Sequence, residues 1–292
     1  MMYRGKAKSN LIKFTALILL ALIAWSSPFT ARKTGAMPFY NLKPEQLTLR
    51  SSFYTTYATS TDERKSNIAL AAKSLNGTFV DVGAEFSFNR TVGERTVKRG
   101  YKVAKIIVGG DFVDGVGGGV CQVSTTLYNA VLLAGLKITE YHAHSLPVSY
   151  VAPSFDAMVN SGSADLRFIN DTFNPIIIYA HADGQRLLIE IHGQKQNLSI
   201  ERYSVVTERI PCEKEQVIVD EKGEYPDLFV GEYRFIKYGK AGYKSEGYIV
   251  AKKDGKVMFN RKIRSDKYNS TRGIVVYGTA VRKNDGEDLL IS

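Results

Sequence analysis

Apolar residues recur at helical spacing at two places in the first half of the chain. Ile68, Ala71, Ala72 and Leu75 make one stripe; Thr61 stands where an N-cap belongs, and Asp62 and Glu63 suit a first turn. Val123, Leu127, Ala130, Val131 and Ala134 make the second stripe, with Gly135 at the C-terminal end. Strand-like segments surround these helices. Phe53, Tyr54 and Tyr57 lie among threonines from Ser51 onward, and residues 101–114 suggest a hairpin turning at Gly109-Gly110. Leu136 to Tyr141 alternates, and a hairpin at Asp183-Gly184 joins Ile176–Tyr179 to Leu187–Ile191. Residues 83–93 read as a turn-rich loop with buried aromatics.

After Gly193 the pattern changes. Residues 198–282 contain no histidine and no amphipathic helix, tyrosines alternate with charged residues, and Asp254-Gly255 marks a hairpin. These features predict an α+β, β-rich domain with two or so helices over 51–195, then a separate, thin all-β domain over 198–282 and a tail over 283–292. The tyrosines can stack on sugars or cover a thin sheet, and the second use fits better. Residues 38–50, with Pro38, Asn41 and Pro44, read as a linker.

The N-terminal 37 residues are a targeting segment. Arg4, Lys6, Lys8 and Lys13 precede 18 uncharged residues, Phe14 to Ala31. That is long for a signal-peptide core and short for a membrane span. An uncleaved anchor, with the bulk of the chain outside the cell, is preferred to a cleaved signal, because good cleavage sites are lacking. The formal charge of +10 over 292 residues falls to +4 once the six basic residues of this segment are removed. Basicity therefore does not argue for nucleic acid, and no zinc-finger or RNP-like pattern is present. Paired acids for glycosidic chemistry are not evident.

The chemistry centres on Gly117-Gly118-Gly119-Val120-Cys121-Gln122. The glycines deliver Cys121 to a helix N-terminus, where unpaired N–H groups and a partial positive charge favour the thiolate. They also free the backbone to approach a substrate. A lone cysteine is more often a small buried hydrophobe, but His142 and His144 follow the helix closely in a chain of only four histidines. If the strand continues past Tyr141, the two histidines share one face. Asp156 or Asp165 can orient a histidine, or can be an ordinary turn aspartate. Cys121 and Cys212 fall in different predicted domains, which argues against a disulfide, and no metal-ligand spacing supports zinc. The candidate chemistry calls for no metal and no cofactor.

Several stretches together resemble the VanW family, which is named for an accessory protein of a vancomycin-resistance cluster. They are Arg64-Lys65-Ser66-Asn67-Ile68, Leu75-Asn76-Gly77, Glu85-Phe86-Ser87-Phe88-Asn89, the Gly117–Ala130 block, His144-Ser145, Val148-Ser149-Tyr150 and Asp165-Leu166-Arg167-Phe168. One departure is Ser154-Phe155, where the family has a glycine before the Asp156-Ala157 pair. The C-terminal part resembles the G5 domain through Arg209-Ile210-Pro211, Gly239, Gly242, Asp254-Gly255-Lys256 and Ile274–Thr279.

The resemblance implies an exported envelope protein of a Gram-positive bacterium, held at the membrane or released into the wall. Some members of the family are regarded as L,D-transpeptidases, which cross-link peptidoglycan stem peptides through a cysteine. On that reading Cys121 is the nucleophile, His144 the base and His142 its substitute. Gly118, Gly119, Gln122, Ser124 and Asp156 face the substrate. Partners would be stem peptides, the membrane through the N-terminal segment, and wall glycan through the G5-like part. The alternative is a non-catalytic binding protein for peptidoglycan or a glycopeptide, with Cys121 buried and no imidazole beside it.

Overall fold

A computed structural model describes residues 47–108 and 110–282. The proposed anchor, the first part of the linker and the tail lie outside these residues. Strand β1 (Thr48–Thr56) opens the described chain, so the linker predicted to run to residue 50 ends sooner. Helix α1 (Asp62–Leu75) follows, with the Thr61 side chain accepting the Arg64 amide at 3.4 Å. Gly77 leaves the helix at φ +80°, a conformation that glycine adopts without strain.

Next come β2 (Thr78–Val80), β3 (Glu85–Ser87) and a short helix α2 (Phe88–Val92). The last two replace the loop predicted at 83–93. Phe86 and Phe88 alternate by two residues, yet too few residues separate the flanking turns for a strand and a helix to show in the pattern. Strands β4 (Val103–Val108) and β5 (Asp111–Val116) form the hairpin. Helix α3 (Val120–Leu133) carries Cys121, and Gly135 follows its end at φ +70°. The chain continues through β6 (Lys137–Glu140), β7 (Arg167–Ile169), β8 (Ile176–Ala182) and β9 (Arg186–Gly193).

The core is an antiparallel sheet in the order β1-β9-β8-β2, with α1 and α3 on it. A smaller sheet, β3-β7-β6, lies at the side. Ile68, Leu75, Leu127, Phe168 and Ile189 are fully buried together. Helix α3 is buried on nearly every face, polar residues included. Each of those polar residues is therefore engaged in a hydrogen bond: Thr126 Oγ1 with Thr55 Oγ1 at 2.8 Å, Asn129 Nδ2 with the Phe155 carbonyl at 2.8 Å.

The C-terminal part is all strand. Strands β10 (Ser199–Ile210), β13 (Gly242–Lys253) and β14 (Lys256–Tyr268) form one antiparallel sheet, in the order β10-β13-β14. Strands β11 (Gln216–Val219), β12 (Tyr233–Lys237) and β15 (Ile274–Tyr277) form another, with β11 parallel to β15. Asp254 and Gly255, at φ +49° and +76°, make the predicted two-residue turn. The β-rich core and the thin all-β part follow one another along the chain as expected, and the first of these sheets leans on the core. Arg202 of β10 lies over the rings of Phe53 and Phe155 at 4.6 and 4.3 Å. Ile263 of β14 packs against the core cluster. Neither sheet has enough apolar side chains on both faces to enclose a core alone, so it borrows one.

Candidate active site

The glycine run before α3 has a packing reason. A Cβ on Gly118 would stand 2.6 Å from the Lys105 carbonyl of β4, and one on Gly119 would stand 3.0 Å from Arg64 and Ile68 side chains of α1. Gly119 also takes φ +108° as the N-cap. The glycines thus let the loop approach the protein's own backbone, with the Gly118 carbonyl accepting from Asn67 Nδ2 at 3.0 Å. They still line the cleft described below. Val120 and Gln122 donate their amides to Gly117 O and Gly119 O at 3.1 and 2.9 Å. The Cys121 amide has no acceptor among the described residues, which leaves it available to an incoming oxyanion.

Cys121 is half-buried, and Cys212 is exposed; neither is in a disulfide. The Cys121 thiol donates to the Val159 carbonyl at 3.4 Å, and His144 stands close enough to the sulfur for each to act on the other's charge. His144 is 5% exposed, and its Nδ1 lies 2.7 Å from Asp156 Oδ2. The His144 amide donates to the same oxygen, also at 2.7 Å. The carboxylate therefore holds the proton on Nδ1 and leaves Nε2 free for exchange with the thiol. The three side chains form a Cys–His–Asp series, in which each residue orients the one before it.

Burial of Cys121 pushes its thiol up, but the neighbouring His144, the Val159 main chain and Arg95 together bring it below the usual thiol value. Burial alone would lower the His144 pKa; Asp156 and the Cys121 sulfur raise it instead, to about 9. Asp156 is likewise buried, yet His144, Arg264 and Tyr268 hold it below the usual carboxylate range. All three directions favour a thiolate–imidazolium pair.

The support beneath Asp156 comes from β14. Tyr268 donates its hydroxyl to Asp156 Oδ1 at 2.5 Å. It also accepts the Ser154 amide at 2.9 Å. Arg264, whose side chain is wholly buried, donates to the Asp156 carbonyl at 2.7 Å and lies 3.6 Å from Oδ1. Asp266 fixes the same guanidinium with contacts of 2.7 and 2.9 Å, and the Tyr141 ring lies 4.4 Å from it. Ser154 occupies φ +59°, where glycine is cheap. Its hydroxyl bonds Ser245 at 2.7 Å, and its carbonyl lies where only Gly247 leaves room, since a Cβ there would approach to 2.9 Å.

Several expected roles are corrected. Asp156 is 1% exposed and fully engaged by protein groups, so it orients the histidine and has no surface for a substrate. Ser124 is fully buried, with its hydroxyl on the Ala157 carbonyl at 2.6 Å. Gln122 is 1% exposed and ties Arg64 Nη2 at 2.7 Å to Thr55 Oγ1 at 2.9 Å; only its edge reaches the cleft. β6 ends at Glu140, so His142 and His144 do not share a strand face. His142 pairs with Glu140 at 2.9 Å and does not line the cleft described below. Asp165 serves Ser87, Asn89 and Arg167. Sequence reading missed Tyr268 and Arg264, whose roles depend on a contact about 110 residues away in the chain.

Cys121 and His144 open on a cleft of about 980 Å³. The β4–β5 hairpin supplies Ile106, Val108 and Phe112 to its wall, and the C-terminal part supplies Lys240 and Lys267. Asp111, at the tip of the hairpin, is paired with Lys237 of β12.

Fold and site together define an α+β domain with a cysteine–histidine–aspartate centre. Residues 63–192, which hold all three of those residues, match the family described as VanW like protein. Uncharacterized protein YoaR of Bacillus subtilis (strain 168) is 43% identical over 162 residues, which are 55% of this chain and 54% of that protein. Vancomycin B-type resistance protein VanW of Enterococcus faecalis (strain ATCC 700802 / V583) is 31% identical over 135 residues, 44% of this chain and 49% of that one. The chain spans about half the length of these relatives. Among solved structures, the IgA1 protease G5 domain is 20% identical, with a TM-score of 0.19 over 29% of this chain and 92% of its own. The structure of HP0197-G5 is 25% identical, with a TM-score of 0.16 over 28% and 100%. At those scores the β architecture of the C-terminal part rests on its own strand pairing.

Proposed function

We propose that the chain is an exported cell-envelope protein whose VanW-like domain is a cysteine acyltransferase acting on peptidoglycan stem peptides, of the L,D-transpeptidase type. The observation that carries this reading is the Cys121–His144–Asp156 series at the mouth of the cleft. A structural cysteine has no use for an imidazole held in one tautomer by a buried carboxylate.

The Cys121 thiolate attacks the carbonyl carbon of an L-residue in the donor stem. The carbonyl oxygen gains the negative charge beside the α3 N-terminus, where the free Cys121 amide stabilises it. The C–N bond then breaks. The His144 imidazolium gives its Nε2 proton to the departing amine of the D-residue, leaving a thioester on Cys121. Neutral His144 next takes a proton from the acceptor amine as that nitrogen attacks the thioester. Sulfur leaves as thiolate, and the imidazolium is restored.

The test is incubation of the purified protein with stem peptides, followed by mass spectrometry of the protein and of the products. Wild type is expected to form an acyl-enzyme adduct and a cross-linked product, and Cys121→Ala neither. Binding of the same peptides without either product, in wild type and variant alike, would replace this reading with the non-catalytic binding protein.

A further inference from the structure

The cleft in front of Cys121 is lopsided in charge. Its lining carries Arg64, Arg95, Lys105, Lys240 and Lys267 and, among the described residues, no Asp or Glu. Lys105 is paired with Asp114 at 2.9 Å on the surface. The other four have no carboxylate within ion-pair distance among the described residues. Arg64 and Arg95 are the informative two, because both are half-buried. Neutral acceptors hold each of them in place. Arg64 donates to Ser60 Oγ and Gln122 Oε1, both at 2.7 Å. Arg95 donates to Asn89 Oδ1 at 2.8 Å and Gly93 O at 3.1 Å. Both stand close enough to Cys121 to feel its charge.

Taking a guanidinium out of water without a counter-ion is unfavourable, and neutral acceptors offset it only in part. Two such groups, fixed beside one nucleophile, suit a site whose negative charge arrives with the ligand.

We infer that the cleft selects an anionic acyl donor, a peptide with at least two free carboxylates, and that Arg64 and Arg95 receive them beside Cys121 while Lys240 and Lys267 draw the peptide in. This rests on the acyltransferase reading and gives it a substrate class. Lys240 and Lys267 belong to the C-terminal part, so that part shapes the choice of donor as well as supporting Asp156.

The experiment titrates the full chain carrying Cys121→Ala with two synthetic stem peptides of one sequence, one with free carboxylates and one fully amidated. Amidation is expected to weaken binding roughly 10- to 100-fold, the usual size of one or two charge-assisted contacts. Added salt should weaken binding of the free peptide only. Arg95→Gln should reduce affinity for the free peptide and leave that for the amide unchanged. Equal affinity for the two peptides overturns the inference, and that comparison needs no variant in the cleft. Tighter binding of a polyphosphate chain than of the peptide overturns the peptide assignment. The two proposals fail separately. Equal turnover of the amidated donor, still dependent on Cys121, ends this inference and leaves acyl transfer standing. Carboxylate-selective binding with no turnover does the reverse.

Discussion

The core and the C-terminal sheets are built on different principles, and the site takes something different from each. In the core, two helices and a four-stranded sheet enclose a continuous apolar cluster, and side chains such as Ile68, Leu127 and Phe168 are wholly buried. The second C-terminal sheet is thin: Val217 and Val219 of β11 are 61% and 53% exposed. The first is buried at Ile249, Ala251, Arg264 and Tyr268, and the last two of these bond Asp156. A packed core can place Cys121 and His144 by shape alone. A thin sheet cannot, and it acts through directional hydrogen bonds to the one buried carboxylate, Asp156.

Substitutions of the reacting side chains on the core side should therefore remove chemistry and spare the fold, whereas those in the buried support on the sheet side should cost stability as well. The largest effect expected is from His144→Ala, a loss of roughly 10² to 10⁴ in acyl transfer, typical of removing a general base. His142→Ala should stay within about twofold, because His142 faces Glu140. Steady-state rates on a stem peptide check both, and equal losses would put the base elsewhere.

On the sheet side, Arg264→Met leaves Asp156 and Asp266 buried without their shared cation. Breaking a buried pair in this way costs about 3–5 kcal/mol. Lys252→Met, in the exposed pair with Glu201 on the same sheet, should cost less than about 1 kcal/mol. Urea unfolding of the three proteins measures the contrast. A small loss for Arg264→Met would show that the β14 contact is incidental.

How much of this was legible in the sequence follows the same division. The Cys121 helix, its glycine N-cap and the two-residue turns are local, and hydrophobic period and turn chemistry expose local features. The strand at Glu85–Ser87 and the helix at Phe88–Val92 are too short for any period to stand out. Asp156 was readable as a possible histidine orienter, but nothing nearby separated it from Asp165. The difference lies on β14, in Tyr268 and Arg264, and in a strand of alternating charges and aromatics those two residues look like surface. The glycines were read as room for substrate. Their neighbours, β4 and α1, are set by tertiary packing that no spacing rule contains.

The pH dependence sharpens the link between the regions. With the Cys121 thiol below its usual value and His144 raised to about 9, kcat/KM should rise at a pH below that of a free thiol and fall near pH 9. The two groups titrate as a pair, so the limbs belong to the pair. Asp156→Asn removes the charge that raises His144 and should shift the alkaline limb downward. Stability has its own signs. The raised His144 contributes fully below about pH 6.5, and that contribution is lost as pH rises through about 9. The depressed Asp156 contributes above about pH 4, and its share is lost as pH falls through its folded value. Stability measured against pH in wild type and Asp156→Asn should differ at both ends. An unchanged alkaline limb in Asp156→Asn would separate the carboxylate from the histidine's basicity.

The smallest effect expected is at the hinge between the two regions. Ser154 holds φ +59°, which costs a non-glycine residue about 1 kcal/mol or more. Ser154→Gly relieves that strain. It also removes the hydroxyl bond to Ser245, a contribution of about 1 kcal/mol, and gives the unfolded chain extra freedom of similar weight. These terms oppose one another, so stability should change by less than about 1 kcal/mol in either direction. The Ser154 amide still donates to Tyr268 after the change, since it is main chain. Activity should therefore stay close to wild type. A combined Ser154→Gly and Ser245→Ala protein sharpens the test, because it leaves neither hydroxyl without a partner, and its cost should not exceed that of Ser245→Ala alone. A large loss of activity in Ser154→Gly, with stability intact, would mean that the sheet steers Asp156 through the Ser154 side chain rather than through Tyr268 and Arg264.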